Sequence, residues 1–305
     1  MTNNPSYHVP VMLEQCLDGL NIRPDGVYVD VTFGGGGHSR PIHERLDSNG
    51  KLFAFDQDPD AQKNVWDAPN FQFIASNFSF VKNHLKLQGV PKVDGLLADL
   101  GVSSHQFDEE SRGFSIRSNA PLDMRMNQSG DLTAAKVINE YGEHELIQLF
   151  RLYGELTNAP RLVRELISAR SSRSLKNTMD LVEVAGPCAP NKRENKYLAQ
   201  VFQALRIEVN DEMDALEKLL EQCADIIKPG GRLVVMSYHS LEDRLVKNFM
   251  KRGSLTGEIQ KDFYGNVLKP FTEVVRKPIV ANEEEIERNN RARSAKLRIA
   301  ERNGE

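Results

Sequence analysis

The stretch that most constrains this chain is "VDVTFGGGGHS", Val29 to Ser39, where an apolar, β-branched run ends in four consecutive glycines. Glycine inside regular structure costs about 0.5–1 kcal/mol relative to alanine, because it gives up more chain entropy on folding. Four together at the mouth of a strand imply that something approaches the backbone so closely that side chains are excluded. A strand, a glycine-rich turn and a helix do this for nucleotide-type cofactors. The helix N-terminus offers free N–H groups, and the glycines admit the ligand. Such sites lie at the carboxyl ends of parallel strands.

The surrounding pattern agrees. "VYVDVTF" (27–33) reads as a buried strand and "HSRPIHERL" (38–46) as a first helix with Pro41 in its first turn. "KLFAFDQD" (51–58), "FQFIASNF" (71–78) and "VDGLLADLGVSS" (93–104) read as further strands. Strands alternating with helices imply a parallel α/β sheet. Asp56 follows Gly36 by 20 residues, at the end of the second strand, where an acid binds ribose hydroxyls. The fourth strand runs through Asp99.

From 107 to 205 the pattern changes. "LTAAKVINEY", "EHELIQLFRLYG", "APRLVRELISAR", "NTMDLVEVAG" and "NKYLAQVFQALRIEVN" carry helical periodicity, as at Leu146, Leu149, Phe150 and Tyr153. We read 107–205 as an inserted all-helical, substrate-recognition domain, and 1–106 with 206–305 as the α/β domain. In the latter, "DEMDALEKLLEQCADIIKPGGRLVVMSYHSLED" gives a helix, a Pro-Gly-Gly turn and a strand over 232–238. "FTEVVRKPIV" (271–280) and "SAKLRIAER" (294–302) suit an antiparallel pair at the sheet edge.

The cofactor class follows from what the glycine run lacks. The dinucleotide fingerprint needs a third glycine where Ser39 or Arg40 stands, and no Gly-Lys-Ser/Thr follows for a phosphate-binding loop. S-adenosyl-L-methionine (SAM) has a ribose and an amino-acid part but no pyrophosphate, so it suits the glycines, Asp56 and Asp99. Composition bounds the rest. A net charge of -4 confines any nucleic-acid surface to a local patch. Three separated cysteines form no metal-type pair and no disulfide framework, which points to a reducing cytoplasm and leaves no metal-ligand set. No apolar run approaches the roughly 18 residues of a membrane span, and the N-terminal "MTNNPSYHVP" has no export-signal pattern.

Specific blocks then align in order: "HVPVM", "TFGGGGHS", "ADLGVSSHQFDEESRGFS", "PLDMRM", "VFQALRIEVN", "PGGRLVVMSYHSLEDRLVKNF" and "NNRARSAKLRIAER". Across nearly the whole chain the sequence resembles the ribosomal RNA small-subunit methyltransferase H (MraW) family. That resemblance implies a class I SAM-dependent methyltransferase, a Rossmann-like, mostly parallel seven-stranded sheet with an inserted helical domain. It implies methyl transfer from SAM to the exocyclic N4 of a decoding-centre cytidine in 16S rRNA. Its cofactor contacts fall on Gly35, Gly36, Gly37, His38, Asp56, Phe78, Asp99 and Gln106. Its partner is 16S rRNA within the small ribosomal subunit, with a homodimer left open and neither membrane nor metal expected.

Methyl transfer is an in-line displacement, so positioning carries much of the rate. Asp99 is the candidate to orient N4 or to bind the SAM amino group, and so the candidate catalytic residue. The Pro-Pro-aromatic motif usual in exocyclic-amine methyltransferases is absent; "DLGVSS" stands in its place. Ser103, Ser104 and His239 suit either a substrate contact or a structural bond, and Glu242 and Asp243 suit a helix start. Arg112, Asp123 and Arg125 are read as ion pairs or RNA contacts of a lid. Basic residues for an RNA track are Arg161, Arg164, Arg170, Arg173, Lys176, the run 192–196, Arg288, Arg291, Arg293, Lys296 and Arg298. The alternatives are a SAM methyltransferase for DNA cytosine or protein, and a SAM- or RNA-binding factor without turnover.

Overall fold

The computed structural model describes residues 10–304. His8 and Val9 of the "HVPVM" block, and the segment read for an export signal up to Val9, lie outside the described residues. The chain divides into two compact units, one built from residues up to Gly101 and from Met213 onward, the other from Val102–Glu212.

Chain order in the first unit begins α1 (Leu13–Leu20), β1 (Val27–Asp30), α2 (Ser39–Glu44), β2 (Lys51–Asp56), β3 (Phe71–Ala75), α3 (Val81–Leu87) and β4 (Val93–Asp99). The second unit holds α4 (Ser104–Asp108), α5 (Ala134–Glu140), α6 (Glu143–Leu152), α7 (Ala159–Ser172), α8 (Thr178–Ala185) and α9 (Glu194–Asn210). The first unit resumes with α10 (Glu212–Ile226), β5 (Ile227–Ser237), α11 (Ser240–Arg252), β6 (Phe271–Glu273), α12 (Glu283–Arg288) and β7 (Lys296–Arg302). A boundary at 205/206 would fall inside α9, which runs unbroken to Asn210.

The sheet order is β3-β2-β1-β4-β5-β7-β6. β3, β2, β1, β4 and β5 are parallel, while β7 is antiparallel to both β5 and β6. The chain steps outward from β1 to β3, then returns to place β4 on the other side of β1. The two directions part between β1 and β4, and a crevice opens there at the carboxyl ends of the strands.

Alternate side chains feed the two faces of the sheet. Val29, Phe53, Phe55, Leu96, Leu233 and Val235 pack with Leu216, Leu219, Leu220 and Cys223 of α10 and with Phe249 and Met250 of α11. Tyr28, Leu52, Ala54, Leu97, Val234 and Met236 pack on the other face with Cys16, Leu17 and Leu20 of α1 and Ile42 of α2. A parallel sheet covered on both faces explains the near-continuous apolar strands.

Several elements end earlier than the sequence pattern suggested. β1 stops at Asp30, β2 at Asp56, β3 at Ala75 and β4 at Asp99. Beyond β1 and β4 the regular ladder stops, although Val31, Phe33 and Leu100 stay buried and each still donates a backbone bond to a neighbouring strand. β6 keeps only Phe271–Glu273 of the expected 271–280 strand. β5 begins sooner, because Pro229-Gly230-Gly231 is looped out within it: Val93 pairs with Ile227, and Gly95 next pairs with Arg232. Gly230, at φ +77°, makes that bulge.

The Val102–Glu212 unit has its own core, in which Val137, Ile138, Phe150, Leu162, Leu166, Leu181, Val201 and Leu205 are fully buried. Thr133 caps α5 through Lys136 N, and Asn177 and Asp180 form a reciprocal cap on α8.

Candidate active site

β1 passes into the glycine turn through residues still tied to the sheet. Val31 N donates to Leu97 O and Phe33 N to Phe55 O. Gly34 and Gly36 then take φ of +51° and +76°, a left-handed backbone that side chains resist. At Gly36 a Cβ would meet the Phe33 ring at 3.2 Å and the Trp66 ring at 3.3 Å; at Gly37 it would meet Pro10 at 3.2 Å. Gly36 N donates to Phe33 O at 2.7 Å, and Arg40 N donates to Gly36 O at 2.9 Å as α2 begins. The turn is therefore defined by both conformation and space.

A buried polar network anchors it. Asp30 is 1 % exposed. Its Oδ2 accepts from Ser39 Oγ at 2.6 Å and its Oδ1 from Thr32 N at 3.0 Å. Thr32 Oγ1 donates to Asp30 Oδ1 at 3.3 Å and accepts from Asp99 N at 2.7 Å. One hydroxyl thus locks the end of β1 to the end of β4. Buried polar groups satisfied in this way rigidify a site.

Asp56 closes the other side. Gly34 N donates to its Oδ2 at 2.7 Å and Asp58 N to its Oδ1 at 2.8 Å, while Asn64 Nδ2 donates to Gly34 O at 3.1 Å. Burial pushes the Asp56 carboxyl up to about 6, against the pull of the two backbone donors. Each oxygen keeps a further lone pair, so the carboxylate can still accept from a diol.

Asp99 ends β4, across β1 from Asp56. Tyr238 Oη donates to its Oδ1 at 2.7 Å. His38 Nδ1 lies 3.7 Å from its Oδ2, while His38 Nε2 bonds Val11 O at 3.0 Å. Burial pushes Asp99 up to about 6 as well, partly offset by His38 and the Tyr238 hydrogen bond. Burial and the neighbouring Asp99 raise the Tyr238 phenol well above its ordinary value, so Tyr238 remains a donor at neutral pH.

The other expected residues fall as follows. Phe78 opens a short turn after β3, half-buried, and Asn77 Nδ2 in that turn donates to Gln57 Oε1 beside Asp56. Gln106 lies in the Val102–Glu212 unit, where it caps α4 reciprocally with Ser103; Ser103 N donates to Gln106 Oε1 at 3.0 Å and Gln106 N to Ser103 Oγ at 3.1 Å. Gly35, Gly36, Gly37, His38, Asp56 and Asp99 fall where β1, β2 and β4 end, with Asp56 tied to the turn at Gly34 N and Asp99 3.7 Å from His38. In the same helical unit Arg125 forks onto Asp123 with two 2.7 Å bonds, and buried Arg112 donates to the carbonyls of Arg125 and Met126. His239 and Glu242 cap α11, with Glu242 also accepting from Tyr238 N at 2.8 Å. Arg298, read as an RNA contact, is instead 8 % exposed and held by Asp243 at 2.8 Å, with Lys296 3.2 Å away from the same carboxylate. Sequence reasoning missed Thr32, Asp30, Ser39 and Tyr238. For Tyr238 the only local sign is its place directly after β5.

The sheet order, with β7 antiparallel between β5 and β6 and a glycine turn at the β1 switch point, is that of a SAM-dependent methyltransferase. The model of the MraW methylase family matches residues 5–303, and the chain belongs to that family. It is 56 % identical over 304 residues to the ribosomal RNA small subunit methyltransferase H of Amoebophilus asiaticus, covering 98 % of each chain. It is 57 % identical over 298 residues to the protein of the same name from Cytophaga hutchinsonii, covering 97 % of this chain and 99 % of that one. The match to the Flavobacterium johnsoniae protein of that name is 57 % over 302 residues, 99 % of this chain and all of that one. The cofactor is S-adenosyl-L-methionine, and the residues present fit it: a side-chain-free turn at Gly34 and Gly36, and two carboxylates with lone pairs to spare. No helix among the described residues is long and apolar enough to cross a membrane.

Proposed function

We propose that this chain methylates the exocyclic N4 of a decoding-centre cytidine in the 16S rRNA of the small ribosomal subunit, and does so in the cytoplasm. The observation that carries the reading is the near full-length similarity to relatives named as small subunit rRNA methyltransferases, on a chain whose crevice holds the glycines, Asp56 and Asp99.

Bound SAM supplies an electrophilic methyl on a sulfonium. Gly35, Gly36 and Gly37 would line its amino-acid end with backbone, and Asp56 would accept from the ribose hydroxyls. The family resemblance would give Phe78 the adenine and Gln106 a further amide contact. Asp99 accepts from an ammonium or from the target N4–H, with Tyr238 and His38 fixing its orientation. An ionised Asp99 accepting from N4–H would raise electron density at N4 and favour its lone pair as a nucleophile. As the N–CH3 bond forms, the S–CH3 bond breaks to release the neutral thioether S-adenosylhomocysteine, and the proton N4 then sheds would pass to Asp99 or water. The target base reacts only when unstacked, so the enzyme takes a flipped or single-stranded nucleotide. The 102–212 unit serves substrate recognition. Arg161, Arg164, Lys176 and the 192–196 run are exposed there and suit phosphates.

The test is methyl transfer from labelled SAM to small subunits that lack native modification, with free rRNA and DNA in parallel and nucleoside mass spectrometry of the product. N4-methylcytidine in the rRNA supports the reading. Another modified nucleoside, or transfer to DNA alone, overturns it.

A further inference from the structure

The chain between α11 and β6 carries a feature that the crevice does not use. Residues 260–268 form a small hairpin: Lys261 bridges Val267, Leu268 N donates to Gln260 O at 2.8 Å, and Asp262 N donates to Asn266 O at 2.9 Å. Asp262 organises the tip. Its Oδ1 accepts from Tyr264 N at 2.8 Å and Asn266 N at 2.9 Å, and its Oδ2 from Asn266 Nδ2 at 3.0 Å. These bonds, that from the Asn266 side chain foremost, hold the Asp262 carboxyl below its ordinary value. Gly265 turns the chain at φ +87°.

This ordered turn presents two aromatic rings to solvent. Phe263 is 97 % exposed and Tyr264 85 %, with ring centroids 5.6 Å apart and planes at 87°. Neither ring contributes to a core, and exposed aromatics side by side at a pre-formed tip mark a contact surface. Charge narrows the partner. Between Arg244 and Lys277 the chain has eight basic residues (Arg244, Lys247, Lys251, Arg252, Lys261, Lys269, Arg276, Lys277) against three acidic ones, a local excess of +5 in a protein of net charge -4. Of the basic eight, all but Lys269 are exposed. The root of the hairpin sits on the basic end of α11, where Arg252 Nη1 donates to Gly257 O at 2.6 Å. Aromatic faces among cations are how proteins hold unstacked bases on a phosphate backbone.

We propose that the Phe263–Tyr264 tip is a base-stacking platform for single-stranded RNA, with Lys261 and the flanking basic residues holding the phosphates. The proposal deepens the rRNA reading above by naming a surface that would engage the substrate outside the crevice.

The experiment is fluorescence polarisation of a fluorescein-labelled single-stranded RNA 20-mer with the full chain, at several salt concentrations. Wild type is compared with F263A/Y264A, F263W/Y264W and K261E. The proposal expects the alanine pair to bind about tenfold or more weakly, the tryptophan pair to retain affinity, and K261E to weaken binding with a shallower salt slope. All three positions are exposed, and thermal unfolding should be unchanged. Equal affinity of wild type and F263A/Y264A overturns the proposal, as does failure of wild type to bind the 20-mer. A change of oligomeric state in F263A/Y264A at unchanged RNA affinity also overturns it and makes the tip a self-association surface. Because the readout is RNA binding, it stands apart from the methyl-transfer test: wild type that binds RNA through the tip yet methylates no rRNA would sink the catalytic reading alone.

Discussion

Tyr238 Oη donates to Asp99 Oδ1 at 2.7 Å, joining the residue after β5 to the last residue of β4. The bond favours the ionised carboxylate, which burial disfavours. Tyr238→Phe should therefore raise the Asp99 pKa further above 6. At pH 7 SAM should bind several-fold more weakly, with the loss largely recovered at pH 8, and stability should drop by about 1 kcal/mol. Calorimetric titration of cofactor at both pH values checks this. A loss independent of pH would mean that Tyr238 acts by shape alone.

Both crevice carboxyls titrate near 6 in the fold and near 4 in an unfolded chain. Their folded pKa values are raised, so their contribution to stability is fully present below about 4 and is lost as pH rises through 6. Ligand-free wild type should thus lose stability relative to Asp99→Asn between pH 4 and 6. Cofactor affinity runs the other way, since an ammonium or a diol needs the ionised form. It should fall as pH drops below 6, by up to about tenfold per unit for each carboxylate. Flat affinity from pH 5 to 8 would refute both assignments.

Gly36 and Gly89 separate two effects of a side chain. Both have positive φ, +76° and +71°, but only at Gly36 would a Cβ crowd neighbours, the rings of Phe33 and Trp66; at Gly89 it meets nothing within 4 Å. Gly89→Ala should cost about 1 kcal/mol from backbone strain alone. Gly36→Ala should cost about 1–3 kcal/mol more and should also depress SAM affinity. Chemical denaturation of the two variants side by side gives the difference.

Asp243 holds Arg298 and Lys296, and the Asp243–Arg298 pair is largely buried. Asp243→Ala leaves a buried guanidinium without its partner and should cost about 3–5 kcal/mol. Arg298→Met keeps volume and leaves Asp243 the Lys296 ammonium at 3.2 Å, so it should cost less than Asp243→Ala and should leave RNA affinity unchanged. Weaker RNA binding by a fully folded Arg298→Met protein would restore the phosphate role that the sequence suggested.

What the sequence revealed depended on range. The glycine turn, Asp56 and the strand that ends in Asp99 are local: each is a pattern within one strand-turn-helix unit, legible because backbone conformation and residue type are coupled there. The edge pair was legible too, from two β-rich runs, although only Phe271–Glu273 of the first pairs as β6. The sequence pattern runs past the strand ends because burial and single backbone bonds to the neighbouring strands continue beyond the regular ladder, as at Val31 and Phe33. Thr32, bonded to Asp99 N across 67 positions, and Tyr238, bonded to Asp99 across 139, leave no local pattern. Arg298 misled for a related reason: its partner Asp243 is 55 residues away, and a lone cation in sequence looks like surface.

The helical unit is threaded between β4 and β5, strands that lie side by side in the sheet. On a growing chain, the glycine turn, Asp56 and Asp99 are all synthesised before the helices begin, with β4 still a bare edge. Tyr238 emerges only after the helical unit and α10 are complete. A nascent or prematurely terminated chain would thus carry the cofactor turn without the donor that holds Asp99, and methylating competence would await translation of the last quarter of the message.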